Sequence, residues 1–258
     1  ATSGTRAQVR FFGGWDYPEN LNSRSDAVAI AYDRGVPMGG DLPEILPGEA
    51  PKFLVWGLKD PASGNLDRLQ VVKGWTKHGL TYEKIYDVAW AGNREPNPET
   101  GKVPPIGSTV DVINGTYSNT IGSAELSTVW EDPDFDPTVS AFYYVRSLEI
   151  PTPRYSTRDA AKLGIYPNPV SQVEIQERVW SSPIWYTPSA ADLARGEADA
   201  LTVEGLQQSG AQTLTTPDIT NLVVGNTLKI TNRITGEEFL GFYQPDGTWF
   251  LGESEIGR

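Results

Sequence analysis

Two strand-like runs decide the fold: AFYYVRSLEIPTP, residues 141–153, and RVWSSPIWYTP, residues 178–188. Both are rich in aromatic and β-branched side chains, which suit the pleated, half-buried surface of a sheet. In the first run Phe142 and Tyr144 share one face at period two, and Arg146 interrupts that face. Prolines end the first run, and Pro183 interrupts the second. Proline cannot donate a hydrogen bond to a β ladder, so it marks the end, the edge or a bend of a strand. The pattern predicts two core strands of a β-sandwich, the second of them an edge or bent strand.

The rest of the chain is consistent with short strands joined by turns. It has 258 residues with 20 Pro and 26 Gly, and few long helical patterns. We predict a mainly β fold: an antiparallel β-sandwich with short helical inserts over residues 1–188, including N-terminal junction loops. A small, polar and Ala-rich linker follows over 189–215. Residues 216–258 are predicted to form a small α+β tail module, with one helix and a three-stranded meander.

Charge and composition exclude several classes of function. The net charge is −12, which argues against nucleic acid as a partner, because phosphate binding needs a basic surface. No apolar run approaches the ~18 residues that span a bilayer, so we expect no membrane span. The absence of cysteine excludes disulfides, thiol nucleophiles and zinc–thiolate sites. The single histidine, His78, lies in a predicted hairpin tip and cannot build a multi-histidine metal site.

Two acidic segments are candidate calcium sites. Asp132, Asp134 and Asp136 occupy alternate positions, where carboxylates on an extended loop repel one another unless a cation neutralises them. Asp60 and Asp67 enclose a compact loop of oxygen-bearing side chains around a glycine, which also suits a hard cation. The simpler alternatives are a solvated acidic loop for the first segment and an ordinary turn for the second.

Eight tryptophans are a further candidate for binding. Tryptophans on the surface of a sandwich can stack against sugars. Most of them occupy predicted strand positions, however, so packing in the core or at an interface is the simpler interpretation. We find no phosphate loop, dinucleotide fingerprint or kinase signature. We also expect Arg146, set among apolar neighbours, to form a buried ion pair with Glu149 or with a loop aspartate.

Several long motifs resemble one known family. GVPMGGDLP, LKDPASGNLDRLQVVKGW, EKIYDVAW, WEDPDFDP, FYYVRSLEIPTPRY and WSSPIWYTP occur here in the order found in the C-terminal half of the bacterial domain-of-unknown-function family 3604. The resemblance covers residues 1–188. Members of that family resemble metal-dependent hydrolases of the PHP (polymerase and histidinol phosphatase) type. Their expected metal site lies in an N-terminal half with a Gly-Asp-x-His-x-His motif, which this chain lacks. The first six residues resemble the junction after that half, so we expect a truncated or processed chain.

The resemblance implies a role outside catalysis. The chain is expected to be the non-catalytic C-terminal β-sandwich portion of such a hydrolase, shaping or covering the active site of the missing half. That N-terminal metallohydrolase half would be its partner and would hold the divalent metal. Arg6, Trp15 and Asp41 are the expected substrate-facing residues, because Gly-rich loops flank them and arginine can clamp an anionic substrate. Packing or an interface role is the alternative for all three.

An alternative hypothesis needs no second half. The acidity, the tryptophans and the additional tail also fit an exported binding or structural protein with an aromatic-lined surface that binds glycans. Under either hypothesis we expect a periplasmic or secreted bacterial protein, and a homo-oligomer stays open. An enzyme complete in this chain would need an Asp/Glu pair, but no spacing singles out such a pair.

Overall fold

The computed structural model describes residues 5–43, 49–77, 80–200, 215, 217–218, 221, 224, 227–231, 238–243 and 249–253. The predicted hairpin tip with His78 lies outside these residues. The chain divides into two compact units, Ala1–Asp199 and Ala200–Arg258, and each is described by itself.

Short strands dominate the first unit, as predicted. The strands are β1 (Gln8–Gly14), β2 (Gly35–Pro37), β3 (Lys52–Leu58), β4 (Leu66–Lys77), β5 (Leu80–Trp90), β6 (Glu125–Glu131), β7 (Ala141–Glu149), β8 (Thr152–Pro153), β9 (Glu174–Ile175), β10 (Arg178–Trp180) and β11 (Ile184–Tyr186). The helices are a 3-10 turn (Leu21–Ser23), α1 (Ala27–Asp33), α2 (Tyr155–Leu163) and α3 (Ala190–Ala200).

These strands form two main antiparallel sheets. Sheet A has the order β2-β1-β3-β6, and sheet B has the order β10-β7-β4-β5, with β11 also paired to β7. The three consecutive strands β3, β4 and β5 are divided between the sheets: β3 lies in sheet A, while β4 and β5 form a hairpin in sheet B. The mainly β, antiparallel fold with short helical inserts is confirmed.

The core lies between the two sheets. Sheet A contributes Phe11 and Phe53 to a buried cluster, and sheet B contributes Val71 and Tyr143 to the same cluster. The ring of Phe53 lies 5.2 Å from that of Phe11 and 4.5 Å from that of Tyr143, measured between centroids. Burying one such large apolar side chain stabilises the fold by about 1.5–3 kcal/mol. The contacts between opposed faces give the sandwich its main stabilisation.

A second cluster covers the other face of sheet A. Phe12 and Leu54 point away from the central core and pack with Tyr17, Leu21 and Ala31 from the segment around α1. Strand β3 is therefore buried on both faces, as its nearly continuous apolar sequence predicts.

The face of strand β7 that carries Phe142 and Tyr144, which the sequence pattern singled out, is not the face that lies in the core. Its buried inner residues include Tyr143 and Val145, while Phe142, Tyr144 and Arg146 are only half buried on the outer face. The strands β10 and β11 pair with β7 at its two ends, separated by the bend that Pro183 predicts. The outer face of β7 consequently keeps its aromatic side chains partly exposed.

Helix α3 lies where the sequence suggested a linker. Ser189 caps it: its hydroxyl donates to the carboxylate of Asp192 (2.6 Å) and accepts from the Asp192 backbone N–H (3.1 Å). The Ser189 hydroxyl thus satisfies one of the first N–H groups of the helix, which have no partner within it, and this favours a regular helix in the Ala-rich segment that follows. Residues 201–214 of the predicted linker lie outside the described residues.

The second unit contains the expected three-stranded meander. Its strands are β12 (Thr227–Thr231), β13 (Glu238–Tyr243) and β14 (Trp249–Glu253), paired antiparallel in the order β12-β13-β14. Of the predicted tail helix, which was expected to end at Gly225, Pro217, Asp218 and Asn221 have helical backbone, whereas Val224 lies in a β-bridge. Among the described residues, no helix is both long enough and apolar enough to cross a bilayer.

Candidate functional site

The acidic loop after β6 holds its first carboxylate inside the protein. Asp132 is buried and accepts hydrogen bonds from Lys73 Nζ (2.6 Å) and from the Tyr143 hydroxyl (2.7 Å). Lys73, also buried, donates in addition to the backbone carbonyl of Asp134 at 2.7 Å. A buried charge is stable only where it is paired and hydrogen bonded, and Asp132 meets both conditions.

The next two carboxylates of this loop have lysines of their own. Asp134 forms an ion pair with Lys84 and accepts a hydrogen bond from the Tyr86 hydroxyl (2.6 Å). These two donors hold the pKa of Asp134 below its usual value. Asp136 is 3.0 Å from Lys77 Nζ. The repulsion that suggested a calcium ion is thus relieved by lysines of strands β4 and β5.

Asp60 is used within its own turn and by the segment before β1. It accepts the backbone N–H of Ala62 (2.9 Å) and both the backbone N–H (3.0 Å) and Nε (3.2 Å) of Arg6. These donors, Ala62 first, lower the pKa of Asp60. Its contacts are those of a structural turn that anchors Arg6.

Asp67 is the centre of a separate ion-pair network. It is fully buried and lies 3.1 Å from Arg68 Nε and 2.8 Å from Arg94. Gln176 donates a further hydrogen bond to it at 3.0 Å. Within the part of the chain that the structure describes, no three Asp, Glu, His or Cys side chains converge as metal ligands. Calcium at the five predicted aspartates therefore stays a prediction without a ligand cluster.

The three residues expected to face a substrate have different surroundings. The Arg6 side chain is 80 % exposed and Asp41 is exposed as well. Trp15 is only 3 % exposed, because its ring packs against Phe135 and Tyr186 in the core and its Nε1 donates to a loop carbonyl. A substrate-facing role for Trp15 stays a prediction, and in this structure its ring is enclosed by residues of its own chain.

The structure does not bring these three residues together. Arg6 precedes β1 and Trp15 follows it, and a strand of seven residues spans roughly 20 Å. Asp41 forms a parallel bridge with Trp185, next to the residue that packs on Trp15. Trp15 and Asp41 thus belong to one end of the sandwich, and Arg6 belongs to the other.

A buried glutamate at the end of β7 joins Arg6 in a group that the sequence did not reveal. Glu149 accepts hydrogen bonds from the Thr5 hydroxyl and from the Ser63 hydroxyl (2.5 Å). Burial raises its pKa, and the two hydroxyls oppose that shift in part. We call Thr5, Arg6, Asp60, Ser63 and Glu149 the anchor cluster. A carboxylate set between Leu148 and Ile150 was the available sequence signal.

Arg146 does not form the expected ion pair with Glu149. Its Nε donates to the side-chain oxygen of Gln70 at 2.5 Å, and Gln70 donates in turn to Asp87 at 2.5 Å. The two residues Arg146 and Glu149 are separated by three positions on a strand, so their side chains point to opposite faces. Arg146 is held on the outer face, and Glu149 lies inward.

An aromatic groove crosses the outer part of sheet B near the start of β7. Its volume is about 570 Å³. The aromatic groove is lined by the aromatic residues Trp75, Tyr82, Phe142, Trp185 and Tyr186, with Thr76, Thr81, Glu83, Ser140 and Thr187 among its polar residues. The ring of Tyr186 itself is buried in the core. A larger depression of about 750 Å³ is lined almost entirely by residues 172–180. The smaller groove is built from segments far apart in the sequence, on β4, β5, β7 and β11.

A glycine makes room for the floor of this groove. A Cβ at Gly74 would lie 2.3 Å from the ring of Phe142, so that ring lies against the backbone of β4. The ring planes of Phe142 and Tyr144 differ by only 11°, with centroids 6.4 Å apart. Trp185 stands beside them, 5.4 Å from Phe142 and 46 % exposed. The result is a pair of nearly parallel rings with an exposed indole at one side.

The chain was compared with protein families, curated proteins and solved structures. Neither the curated proteins nor the solved structures compared with this chain include a match. A protein family described as "Protein of unknown function (DUF3604)" matches residues 1–188, which include both main sheets, the anchor cluster and the aromatic groove. Since this match covers well over half of the 258 residues, the chain belongs to the DUF3604 family of proteins of unknown function.

Proposed function

We propose that this chain is the non-catalytic C-terminal β-sandwich portion of a PHP-type metal-dependent hydrolase, where it shapes or covers the active site of an N-terminal half. The resemblance of its motifs to that family supports the proposal. The divalent metal would be held by the N-terminal half, because the described residues of this chain offer no group of ligands for it. No step of the hydrolysis is assigned to residues of this chain.

The observation that carries the proposal is the anchor cluster. Arg6 is fixed to Asp60 through its backbone and its side chain, and Thr5 is fixed to Glu149. The Thr5 hydroxyl also accepts the backbone N–H of Ala7 at 3.1 Å. Hydrogen bonds with one charged partner are about twice as strong as neutral ones. The segment before β1 is therefore held in one direction, which suits a sandwich that must keep a fixed position against a preceding half.

The test uses the protein as its source makes it, with any polypeptide that accompanies this chain. Divalent metal content and hydrolysis of a phosphate monoester are measured for that protein and for this chain alone. We expect metal and activity in the first and neither in the second. A hydrolysis rate of the isolated chain equal to that of the source protein would overturn the proposal.

A variant of the anchor cluster sharpens the same test. Asp60→Asn removes the charge that holds Arg6, whereas Asp26→Asn removes an exposed carboxylate that pairs only with Arg24 within its own segment. We expect the first change to lower the activity of the source protein and the second to leave it unchanged. Equal activity of both variants would show that anchoring of Arg6 is irrelevant to the hydrolase.

A second candidate function is favoured by the aromatic groove. We propose as this alternative an exported, periplasmic or secreted binding protein with an aromatic-lined surface. Two tryptophans on the outer side of sheet B are about half exposed, Trp180 at 51 % and Trp185 at 46 %. Fractionation of the source cells tests the location: recovery of the protein with the cytoplasmic fraction alone would contradict export.

A further inference from the structure

We propose that the aromatic groove, extended along the outer face of β7 to Trp180, is a binding site for a neutral carbohydrate chain. The inference rests on the second candidate function, a binding role for the chain, and names its ligand class. It does not require a hydrolase partner.

The floor of the groove fits the flat face of a sugar ring. The ring of Phe142 lies against Gly74, and the nearly parallel ring of Tyr144 lies 6.4 Å from it on the same face of β7. A pyranose presents C–H groups on its faces and hydroxyls around its edge. Aromatic faces carry partial negative charge and a large apolar area, so C–H groups pack on them favourably. The aromatic side chains of Phe142 and Tyr144, with the exposed indole of Trp185 beside them, offer such an apolar surface.

The rim of the groove fits the hydroxyls of such a ligand. Its polar side chains are the hydroxyls of Thr76, Thr81, Ser140 and Thr187 and the carboxylate of Glu83. Each hydroxyl can donate and accept, as a sugar hydroxyl can, whereas the carboxylate only accepts. The side chain of Glu83 is exposed and lies opposite Gly74 in the register of β4 and β5. Among the described residues it forms no ion pair, and so it remains available to sugar hydroxyls.

Charge selects neutral carbohydrates over acidic ones. The chain carries a net charge of −12, and the carboxylate at the groove is Glu83. A uronate or sulfated polymer would meet repulsion from both. A neutral polysaccharide meets no such cost, because its hydroxyls donate to the same carboxylate.

The aromatic surface is long enough for several sugar units. Trp185 pairs with Phe142, and Trp180 pairs with Arg146, four residues further along β7. Four residues of a strand cover roughly 13 Å. Directly opposed residues of antiparallel strands share a face, so both indoles lie on the same side as Tyr144. The ligand is therefore an oligosaccharide or a polysaccharide segment.

A quaternary ammonium ligand fits this geometry less well. Such cations are bound where aromatic faces surround them within about 6 Å. Phe142 and Tyr144 are nearly parallel with centroids only 6.4 Å apart, which leaves too little room for a quaternary ammonium group between their faces. Aromatic side chains with a hydroxyl rim favour the carbohydrate.

Affinity electrophoresis of the full chain in gels with dissolved polysaccharide tests the proposal. The probes are neutral glucan, mannan, xylan and galactan, with alginate and polygalacturonate as anionic comparisons. We expect at least one neutral polymer to retard the protein and neither anionic polymer to do so. Retardation by none of the neutral polymers, or by the anionic ones alone, would overturn the proposal.

Three variants place the site. Trp185→Ala should weaken binding about tenfold or more, as for a central aromatic contact. Glu83→Gln should still bind the neutral polymer, and it should repel anionic polymers less than the parent protein does. Tyr166→Ala removes an equally aromatic, highly exposed side chain away from the groove and should bind like the parent protein. Loss of binding in Tyr166→Ala, or full binding in Trp185→Ala, would contradict the assigned site.

Thermal unfolding of each variant separates lost binding from lost folding. If Trp185→Ala unfolds early, Glu83→Gln still tests the groove, because the Glu83 side chain is exposed and forms no ion pair with any described residue. Self-association of the parent protein that Trp185→Ala abolishes, without retardation by any polysaccharide, would assign the face to a second copy of the chain and sink the proposal. The hydrolase proposal is tested separately, by the metal content and activity of the source protein, and none of these binding results bears on it.

Discussion

Two buried carboxylates at opposite ends of β7 are stabilised in different ways. Asp132 receives Lys73 Nζ and the Tyr143 hydroxyl, so its negative charge has a buried positive partner. Glu149 receives the hydroxyls of Thr5 and Ser63, and no lysine or arginine is paired with it among the described residues. Taking a charge out of water costs several kcal/mol unless a partner offsets it. Asp132 is therefore part of an ion-paired scaffold, whereas the carboxyl group of Glu149 can change its protonation state.

This difference assigns separate roles to the two ends. The lysine-paired end fixes the acidic loop over β4 and β5, where the charge pattern had suggested calcium. The anchor cluster holds the chain before β1 through a carboxyl group whose pKa burial raises. Glu149 should therefore contribute a pH response of the opposite sign to that of Asp60 and Asp134, whose pKa values are lowered.

The largest expected effect comes from breaking the buried pair at Lys73. Lys73→Met leaves the buried carboxylate of Asp132 without its cation, which should lower the free energy of unfolding by about 3–5 kcal/mol. Urea unfolding at neutral pH measures it. The double variant Lys73→Met/Asp132→Asn should recover much of this loss, because no uncompensated charge remains. A loss below about 1 kcal/mol in the single variant would refute the ion-paired scaffold.

A smaller loss is expected at the anchor cluster. Ser63→Ala removes a hydroxyl that donates to the buried Glu149, and hydrogen bonds to charged groups contribute about 1.5–3 kcal/mol. Ser23→Ala is the matched control, since its hydroxyl donates to a backbone carbonyl at the surface. The two variants are compared by urea unfolding at pH 7. If both variants lost the same free energy of unfolding, the hydrogen bond to the buried Glu149 would contribute no more than one at the surface.

The pH dependence of stability should identify Glu149 by its sign. Its folded-state pKa is raised above the ordinary value of 4.5, so the folded protein binds the proton more tightly than the unfolded chain. Stability from this group is complete below pH 4.5 and is lost as the pH rises through the folded-state pKa. Glu149→Gln should therefore become more stable relative to the parent protein as the pH rises from 4 to 7.

An exposed carboxylate supplies the comparison for this titration. Glu131→Gln changes a half-exposed side chain at the end of β6, and its stability relative to the parent should vary less over the same range. Unfolding midpoints at several pH values measure both variants. A Glu149→Gln profile parallel to that of the parent protein would show that Glu149 does not carry the pH response.

The smallest effect is expected at the exposed lysine of the acidic loop. Lys84 pairs with Asp134 at the surface, with about half of each side chain exposed. Exposed ion pairs contribute about 0–1 kcal/mol, so Lys84→Met should be nearly neutral and its small effect should diminish at high salt. A loss equal to that of Lys73→Met would erase the distinction between the buried and exposed pairs.

The sequence predicted the elements of the fold better than their faces. Period-two runs and proline breaks identified β7 and its neighbours, because alternation and the missing proline N–H are local properties. Both faces of β7 are aromatic, so the pattern alone did not show that Tyr143 lies inward and Phe142 outward. Contact with Phe53 of the other sheet decides this, and such contacts are not local. Arg146 on the outer face was the usable clue.

The candidate sites depended even more on distant contacts. Asp132 and Lys73 are 59 positions apart, so the sequence of the acidic loop did not show that Lys73 neutralises Asp132. Trp15 follows two glycines, as loop residues often do, yet its indole fills a space between Phe135 and Tyr186. Glu149 and Thr5 are 144 positions apart, and only the folded chain brings them together.

The most direct test of the central proposal, that catalysis resides outside this chain, is made on the protein isolated from its source. The measurement is the intact mass and N-terminal sequence of every polypeptide that copurifies with residues 1–258, together with its bound metal. We predict a histidine-bearing, metal-binding segment that precedes or accompanies this chain. A metal-free protein with the mass of this chain alone, which nevertheless hydrolyses the phosphate monoester, would contradict the proposal.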